Sequence, residues 1–366
     1  MSVAPLIERK EIVICAGAGG VGKTTTAAAI ALGMAERGLK VAVLTIDPAR
    51  RLADSLGLPE LGNEERQVEI DGSGELWAMM LDPKRTFDDL IEKHAPDERT
   101  RDAVLSNRIY QELSNAVAGS QEYMAMEKLY ELHQEERYDL LVLDTPPSRN
   151  ALDFLEAPER LSRFVDSRSL QLFLRPGRLG LKVFGRGTGM LFSALQKVTG
   201  VDLLQDLSEF FASFGDMAEG FRERAARTSE LLADRRTTFL LVTSPRRDAI
   251  DEAIFFHRRL RERRLPFGGV VVNRMSTLAL EDEEVDEDEL EALLGKRLGR
   301  RVADNLEDYQ AIATRDRENV ELLSRDLADG APPILVPHLE DDIHDLGGLL
   351  DMNEYLFAAE TVPASG

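Results

Sequence analysis

A glycine-rich stretch near the amino terminus has the residue types and spacing that bind nucleotide phosphates. Residues 17–24, with the sequence GAGGVGKT, fit the pattern G-x-x-x-x-G-K-[ST]. The glycines let successive backbone N–H groups point at one anion. Lys23 adds a positive charge for the β- and γ-phosphates, and the Thr24 hydroxyl can ligate Mg²⁺. The stretch therefore predicts a phosphate-binding loop rather than an ordinary turn between a strand and a helix.

Two aspartates at the ends of apolar segments are candidates for the remaining chemistry. Asp144 follows the apolar residues 140–143, a position at which phosphate-loop enzymes hold Mg²⁺, usually through water. Asp47 follows the predicted strand 40–46. It therefore lies at the carboxyl end of that strand, where α/β sheets bind ligands. There it would position or deprotonate the water that attacks the γ-phosphate. The alternative is that Asp47 is the N-cap of a short helix over residues 49–56, and both interpretations stay open.

The elements that must position these residues alternate between strands and helices. Apolar runs predict strands at residues 12–16, 40–46, 68–70, 75–81, 140–144, 237–243, 267–273 and 333–337. Helical spacing predicts helices at 24–37, 248–263, 305–327 and 345–359, with several more between 84 and 136. This alternation indicates an α/β fold of the phosphate-loop NTPase class, with a mostly parallel twisted sheet and helices on both faces. We expect one domain over residues 1–366 that carries a helical insertion at 150–235.

The composition limits the classes of partner and compartment. A formal net charge of −21 over 366 residues argues against duplex DNA or an anionic membrane as the partner. Cys15 is the one cysteine, so the chain contains no CxxC pair for a structural zinc. The amino terminus lacks a signal-peptide pattern, and no apolar run reaches the ~20 residues of a membrane span. We therefore expect a cytoplasmic protein without an integral membrane segment, a nucleic-acid partner or zinc.

Three stretches allow two interpretations each. Residues 160–197 contain eight basic residues and one acid, which predicts either a lid or client-contact surface or a solvated linker. Residues 202–232 carry an apolar stripe at helical spacing, typical of core packing and also of a groove for apolar segments. Residues 281–291 include nine acids, which favour a solvated loop and helix start over a metal site.

In combination, these motifs resemble the ArsA-type ATPases, which include the arsenite-pump ATPase and the targeting ATPase of the guided entry of tail-anchored proteins pathway. Residues 19–25 resemble the family's deviant Walker A loop, and the segment from Asp47 resembles its switch I. The segment Asp144-Thr145-Pro146-Pro147 resembles its switch II. Asn273 matches the residue that reads the adenine edge, and Pro337 resembles the start of the loop that closes over the base.

The resemblance implies roles for individual residues. The implied catalytic residues are Asp47 and Lys23, and the implied metal ligands are Thr24, Asp47 and Asp144. The implied nucleotide-binding residues are Gly19, Gly20, Val21, Gly22, Lys23, Thr24, Thr25, Asn273 and Pro337. The resemblance also implies ATP and Mg²⁺ as cofactors, and a dimer whose nucleotide-driven switch movements gate the binding of a protein client.

One departure from the family lies within the loop itself. The family's signature lysine stands two residues after the alanine at position 16, where this chain has Ala18. Because that lysine reaches the nucleotide of the other subunit, three arrangements stay open. They are a homodimer, a heterodimer with a lysine-bearing paralogue (as the paired ArsA-like proteins of actinobacteria suggest), and slow hydrolysis by the chain alone. The single cysteine also argues against arsenite extrusion, which needs several thiolates.

The sequence thus predicts an enzyme that hydrolyses ATP to ADP and phosphate and thereby gates a dimer around a client protein. One alternative is a septum-site or chromosome-partition ATPase, against which the short and acidic segment 349–357 counts. The other is a nucleotide-binding regulatory subunit with little hydrolysis, which Ala18 motivates.

Overall fold

The computed structural model describes residues 2–47, 49–108, 110–111, 120–145, 217, 219–277, 287–327, 332–339 and 342–358. As far as these residues reach, the chain forms two compact units. The first comprises residues 1–80, 136–151 and 232–366, and the second comprises residues 81–135 and 152–231. Most of the predicted insertion at 150–235, including the basic stretch 160–197, lies outside the described residues, and the single-domain organisation stays a prediction.

An eight-stranded sheet in the order β3-β4-β2-β5-β1-β6-β7-β8 runs through the first unit. The strands are β1 (Ile12–Ala16), β2 (Lys40–Thr45), β3 (Arg66–Val68), β4 (Glu75–Met80), β5 (Leu140–Asp144), β6 (Thr237–Thr243), β7 (Phe267–Met275) and β8 (Ile334–Pro337). Of the described strand pairs, β3–β4 is antiparallel and the others are parallel. The predicted α/β fold with a mostly parallel sheet is confirmed.

The helices of the described residues are α1 (Ala4–Ile7), α2 (Lys23–Glu36), α3 (Arg51–Ser55), α4 (Pro83–His94), α5 (Glu98–Leu105), α6 (Ser120–Gln134), α7 (residues 219–233), α8 (Arg247–Glu262), α9 (Glu287–Leu294), α10 (Lys296–Asp326) and α11 (Leu346–Leu356). None of them combines the length and the apolar character that crossing a membrane requires.

Strand β1 is central because all five of its residues are buried and it pairs on both sides. A parallel strand that is covered on both faces is expected to be a continuous apolar run, as this one is. Its register places Cys15 opposite Asp144 of β5, and Asp144 in turn lies opposite Thr45 of β2. The ends of these three strands therefore meet at one edge of the sheet, directly before the glycine-rich loop.

Helix α2 is buried on nearly all sides because its side chains are small. The alanines at positions 27, 28, 29, 31 and 35 are all buried and allow a close approach to the sheet. At Gly33 an added Cβ would come within 2.3 Å of the Phe357 ring. Packing of α2 against the sheet and against the segment around α11 holds the start of the helix, and with it the glycine-rich loop, in a fixed place.

Within the described residues, the helix boundary that differs most from the prediction is the start of α10. Helix α10 begins at Lys296 rather than at residue 305. The preceding Gly295 has a φ of 82°, and an added Cβ at Gly299 would lie 2.5 Å from the carbonyl oxygen of Leu290 in α9. Gly299 thus allows α10 to pack closely against α9 in a helical hairpin. The prediction was wrong because a glycine among charged residues is typical of a loop. The acidic residues 287–291 belong to α9, and residues 278–286 lie outside the described part of the chain.

The second unit contains a buried polar cluster that joins two helices. Glu127 of α6 is 2% exposed, forms an ion pair with Arg224 of α7 and accepts a 3.0 Å hydrogen bond from the Tyr123 hydroxyl. Around it the apolar positions predicted for these helices, among them Met126 and Phe221, are buried. The apolar stripe predicted at 202–232 is described only from residue 217 onward.

Candidate functional site

The glycine-rich loop has a backbone that side chains would obstruct. Gly22, directly before α2, has a φ of 94°, in the left-handed region that favours glycine. A Cβ on Gly22 would lie 2.2 Å from Nδ2 of Asn273, and a Cβ on Gly17 would lie 2.0 Å from the carbonyl oxygen of Val242. The loop therefore lies directly against the ends of β6 and β7. Within it, Gly19 and Gly20 are exposed.

Lys23 extends back along this loop. Its side chain is 6% exposed, and Nζ donates a 2.7 Å hydrogen bond to the carbonyl oxygen of Ala18. Burial lowers the pKa of Lys23, whereas the charges of Asp144 and Asp47 raise it. The ammonium group is thus held at the loop with both carboxylates in electrostatic reach.

Asp144 connects the loop helix to the neighbouring strands. Its Oδ2 accepts hydrogen bonds from Thr24 Oγ1 at 2.6 Å and from Thr45 Oγ1 at 2.8 Å. Its Oδ1 is buried and has no hydrogen-bond partner among the described residues. Burial raises the pKa of this carboxyl to about 6, even though the two threonine hydroxyls and Lys23 favour the charged form. A buried oxygen of this kind can accept a metal ion or a water molecule as its partner.

The oxygen atoms of Thr24 and Asp144 fit a magnesium ion. Mg²⁺ prefers hard oxygen donors and is usually bound by one or two protein groups, with phosphate oxygens and water completing the shell. Among the described residues, no group of three or more His, Cys, Asp or Glu side chains could hold a metal without further ligands. The unpartnered Oδ1 of Asp144 is therefore the protein atom best suited to face such an ion.

Asp47 lies close by but has different partners. Its backbone N–H donates to Thr45 Oγ1 at 3.2 Å, and its Oδ1 accepts from the backbone N–H of Ala49 at 3.0 Å. Its Oδ2 forms an ion pair with Arg51 at 3.2 Å. The N-cap position of α3 is occupied by Arg50, so Asp47 caps the turn that precedes the helix rather than the helix itself.

On the other side of the loop, the end of β7 holds the loop backbone. Nδ2 of the buried Asn273 donates a 3.0 Å hydrogen bond to the carbonyl oxygen of Val21. Sequence reasoning missed Arg274, whose Nη1 donates to the carbonyl oxygen of Gly20 at 3.3 Å. Arg274 has a φ of 62°, and its position after Asn273 was the only available signal. Pro337 ends the adjacent strand β8 at the level of Met275.

A cavity of about 290 Å³ opens beside the loop on this same side. Loop residues 18–21 form one wall, and the segment after β6, the start of α8 and part of α10 form the other. Its charged lining residues are Arg246, Asp248, Glu252, Arg274, Arg315 and Asp316. The fold thus brings the predicted residues of the loop, β2, β5 and β7 to one edge of the sheet, with Asp47 and Asp144 on one side of the loop and Asn273 with the cavity on the other.

Comparison with known proteins identifies relatives over most of this framework. A family model described as "Anion-transporting ATPase" matches residues 10–311, which include Lys23, Asp47, Asp144 and Asn273 but not Pro337. The chain is 28% identical over 242 residues to ATPase GET3 of Malassezia globosa, and this alignment covers 65% of each protein.

Two further relatives match shorter parts. The chain is 30% identical over 223 residues to ATPase get3 of Aspergillus terreus, which covers 59% of this chain and 64% of the relative. It is 32% identical over 185 residues to a putative arsenical pump-driving ATPase of Halobacterium salinarum, which covers 48% of this chain and 28% of the relative. The chain therefore spans less than two thirds of the length of these three relatives.

Proposed function

This chain belongs to the anion-transporting, or ArsA-type, ATPase family, and we propose that it is a Mg²⁺-dependent enzyme that hydrolyses ATP to ADP and phosphate. The observation that carries this proposal is the convergence of Thr24, Thr45 and Asp144 at the start of the helix that follows the phosphate loop. The two threonines come from separate elements and donate to one oxygen of the Asp144 carboxylate. Its other oxygen has no hydrogen-bond partner among the described residues, and the buried ammonium group of Lys23 lies close by.

Binding of the phosphates would use the loop backbone, with its residues Gly19, Gly20, Val21 and Gly22, and the amino terminus of α2. Unpaired N–H groups at a helix start attract anions. Lys23 would exchange the Ala18 carbonyl for phosphate oxygens, to which a charged donor bonds more strongly. Thr24 and Asp144 would hold Mg²⁺, which neutralises charge on the β- and γ-phosphate oxygens. Asn273 and Pro337 lie on the side proposed for the base, and Thr25 follows at the start of the helix.

Asp47 is the proposed catalytic base. It would orient a water molecule whose oxygen forms a bond to the γ-phosphorus, while the bond from that phosphorus to the β–γ bridging oxygen breaks. The proton released by the water passes to the Asp47 carboxylate, and ADP leaves with the bridging oxygen. Asp47 is half-buried at the end of β2, next to the strand that carries Asp144, which supports this role. A metal contact of Asp47 is part of the same proposal.

The direct test is Mg²⁺-dependent phosphate release by the full chain and by two variants. We expect Lys23→Ala to lose ATP binding, and Asp47→Asn to keep ATP binding while turnover falls by at least about 100-fold, since a positioned base contributes about that much. The matched control is Asp251→Asn, because Asp251 also pairs with an arginine four residues away, on α8. Unchanged turnover of Asp47→Asn would remove Asp47 from the mechanism.

We further propose that the chain acts as a dimer and that nucleotide-driven movements of the segments after Asp47 and Asp144 gate the binding of a client protein in the cytoplasm. The support is family membership together with the positions of Asp47 and Asp144, from which the two segments start, on the proposed γ-phosphate side of the loop. Light scattering of the purified chain with ADP, with ATP and without nucleotide measures the assembly. A constant monomer mass under all three conditions would contradict the homodimer.

A regulatory subunit with little hydrolysis is the second candidate, and the observation that favours it is Ala18. This residue contributes its carbonyl oxygen to Lys23 and has no charged group of its own. Single-turnover hydrolysis by the isolated chain separates the candidates. Hydrolysis that appears only in Ala18→Lys, or only with a lysine-bearing paralogue, would favour the regulatory subunit.

A further inference from the structure

Arg51 is a cation at the edge of the proposed reaction site that neither the phosphate loop nor the metal site uses. Its Nη1 lies 3.2 Å from Oδ2 of Asp47. The next two residues, Leu52 and Ala53, are 1% and 2% exposed and anchor the start of α3 in the core. The Arg51 side chain itself is 60% exposed. Its backbone is thus fixed while its guanidinium can still change partners.

A series of polar contacts leads from Arg51 to the phosphate loop. Its partner Asp47 donates its backbone N–H to Thr45 Oγ1. Thr45 Oγ1 in turn donates to Oδ2 of Asp144, the same oxygen that accepts from Thr24 directly after Lys23. Two mutually repelling cations beside one loop are a favourable setting for a polyanion, since a bound phosphate relieves their repulsion.

The sheet order separates Arg51 from the other arginine at the loop. Arg51 follows β2, which is next to the strand of Asp144, whereas Arg274 lies near the end of β7, on the far side of β1 and β6. Arg51 is therefore on the side of Thr24, Asp47 and Asp144, where the terminal phosphate would lie. The loop itself carries the uncharged Ala18 at position 18, so it supplies no cation there.

From this arrangement we infer that Arg51 is a catalytic cation supplied by the same chain, which leaves Asp47 and contacts the γ-phosphate during hydrolysis. A guanidinium binds two phosphate oxygens at once and neutralises the charge that spreads over them in the transition state. The exchange also frees Oδ2 of Asp47 to accept a hydrogen bond from water. The cost is small because ion pairs with an exposed arginine contribute little to stability. The inference rests on the proposed ATPase function.

The test compares the full-length wild type with Arg51→Ala and Arg51→Lys. We expect kcat of Arg51→Ala to fall by about 1,000-fold or more, the lower end of what a catalytic arginine contributes, with KM changed less than kcat. A readout independent of turnover is the affinity for ADP with aluminium fluoride, a mimic of the transferring phosphoryl group. It should fall at least about tenfold in Arg51→Ala, while the affinity for ADP alone stays unchanged. Arg51→Lys should recover part of both losses.

The matched control is Arg247→Ala, because Arg247 is a similarly exposed arginine that pairs with an aspartate four residues away. It should leave kcat and both affinities unchanged. If Arg51→Ala keeps or increases turnover and still binds ADP with aluminium fluoride like the wild type, Arg51 serves only as a partner of Asp47 and the inference is wrong. If the wild type itself shows neither hydrolysis nor tighter binding of the mimic than of ADP, the proposed function fails and the inference fails with it.

Discussion

Thr24 Oγ1 donates a 2.6 Å hydrogen bond to Asp144 Oδ2, although the two residues are 120 positions apart in the chain. The bond joins the first turn of α2 to the end of β5 and leaves Oδ1 of Asp144 as a buried oxygen without a partner among the described residues. A hydroxyl and a carboxylate in this relationship could supply two oxygen ligands to Mg²⁺, and phosphate oxygens and water would supply the others.

Removal of the metal or of the hydroxyl should therefore have the same effect on nucleotide affinity. We expect chelation with EDTA, or Thr24→Val, to weaken binding of a fluorescent ATP analogue by about 10- to 100-fold, the value of a hydrogen bond or ligand contact to a charged group. Thr24→Ser should behave like the wild type. Thr26→Val is the control, because the Thr26 hydroxyl bonds the Gly22 carbonyl instead. An EDTA effect that persists undiminished in Thr24→Val would contradict the assignment.

The closeness of Gly22 to Asn273 predicts a steric effect that can be separated from backbone strain. Gly22→Ala should lower both the free energy of unfolding and the nucleotide affinity, because its Cβ would lie 2.2 Å from Asn273 Nδ2. Gly57→Ala is matched to it, since Gly57 also has a positive φ, of 64°, but faces open space. The control should cost only the ~1–2 kcal/mol of a left-handed alanine. Urea unfolding measures both variants.

A second variant tests whether the clash is the cause. Asn273→Ala in the Gly22→Ala background removes the clashing amide, so part of the lost stability should return. A double variant that is less stable than Gly22→Ala would show that the contact of Asn273 with Val21, rather than the clash, dominates.

Two glutamates on α6 should contribute differently to stability, because one belongs to the buried ion pair of the second unit and the other is more exposed. Glu127→Ala should lower the free energy of unfolding by about 3–5 kcal/mol, because it leaves the charge of Arg224 without its buried partner. Glu131→Ala removes a more exposed glutamate that pairs with Lys93 and Lys128, and should cost about 0–1 kcal/mol. Equal losses in urea denaturation would contradict the difference in burial as the cause.

Cys15 predicts a chemical signature of the intact sheet. Burial, and secondarily the charge of Asp144, raises the pKa of this thiol far above its ordinary value, so little reactive thiolate forms. We expect iodoacetamide at pH 8 to label the native protein much more slowly than the protein denatured in urea, which should take up one label per chain. Bound ATP should slow labelling further, since ligand binding stabilises the native state. Native labelling as fast as that of a free thiol would mean that β1 opens readily.

The sequence predicted the fold class and most strand positions because each depends on a local pattern. The apolar run at 12–16 is β1 with the same bounds, and the run at 237–243 is β6. The start of α10 was wrong because the reason for a glycine at position 299, its packing against α9, is a contact with another helix and leaves no trace in the local pattern. Arg51 and Arg274 were missed because arginines are common in any sequence. Only their contacts in the tertiary structure, with Asp47 and with the Gly20 carbonyl, connect them to the site.

By itself, the sequence determined that a phosphate loop lies between a buried strand and a helix, and that aspartates end two other strands. The partners of these groups were decided only by the tertiary structure, which joins Thr24 to Asp144 and Asp47 to Arg51 and places Asn273 against Val21. The physical reason is that strands buried on both faces are continuous apolar runs without alternation. Such runs do not specify their neighbours, so the order that brings β2, β5, β1 and β7 to one site emerges only when helices and sheet pack together.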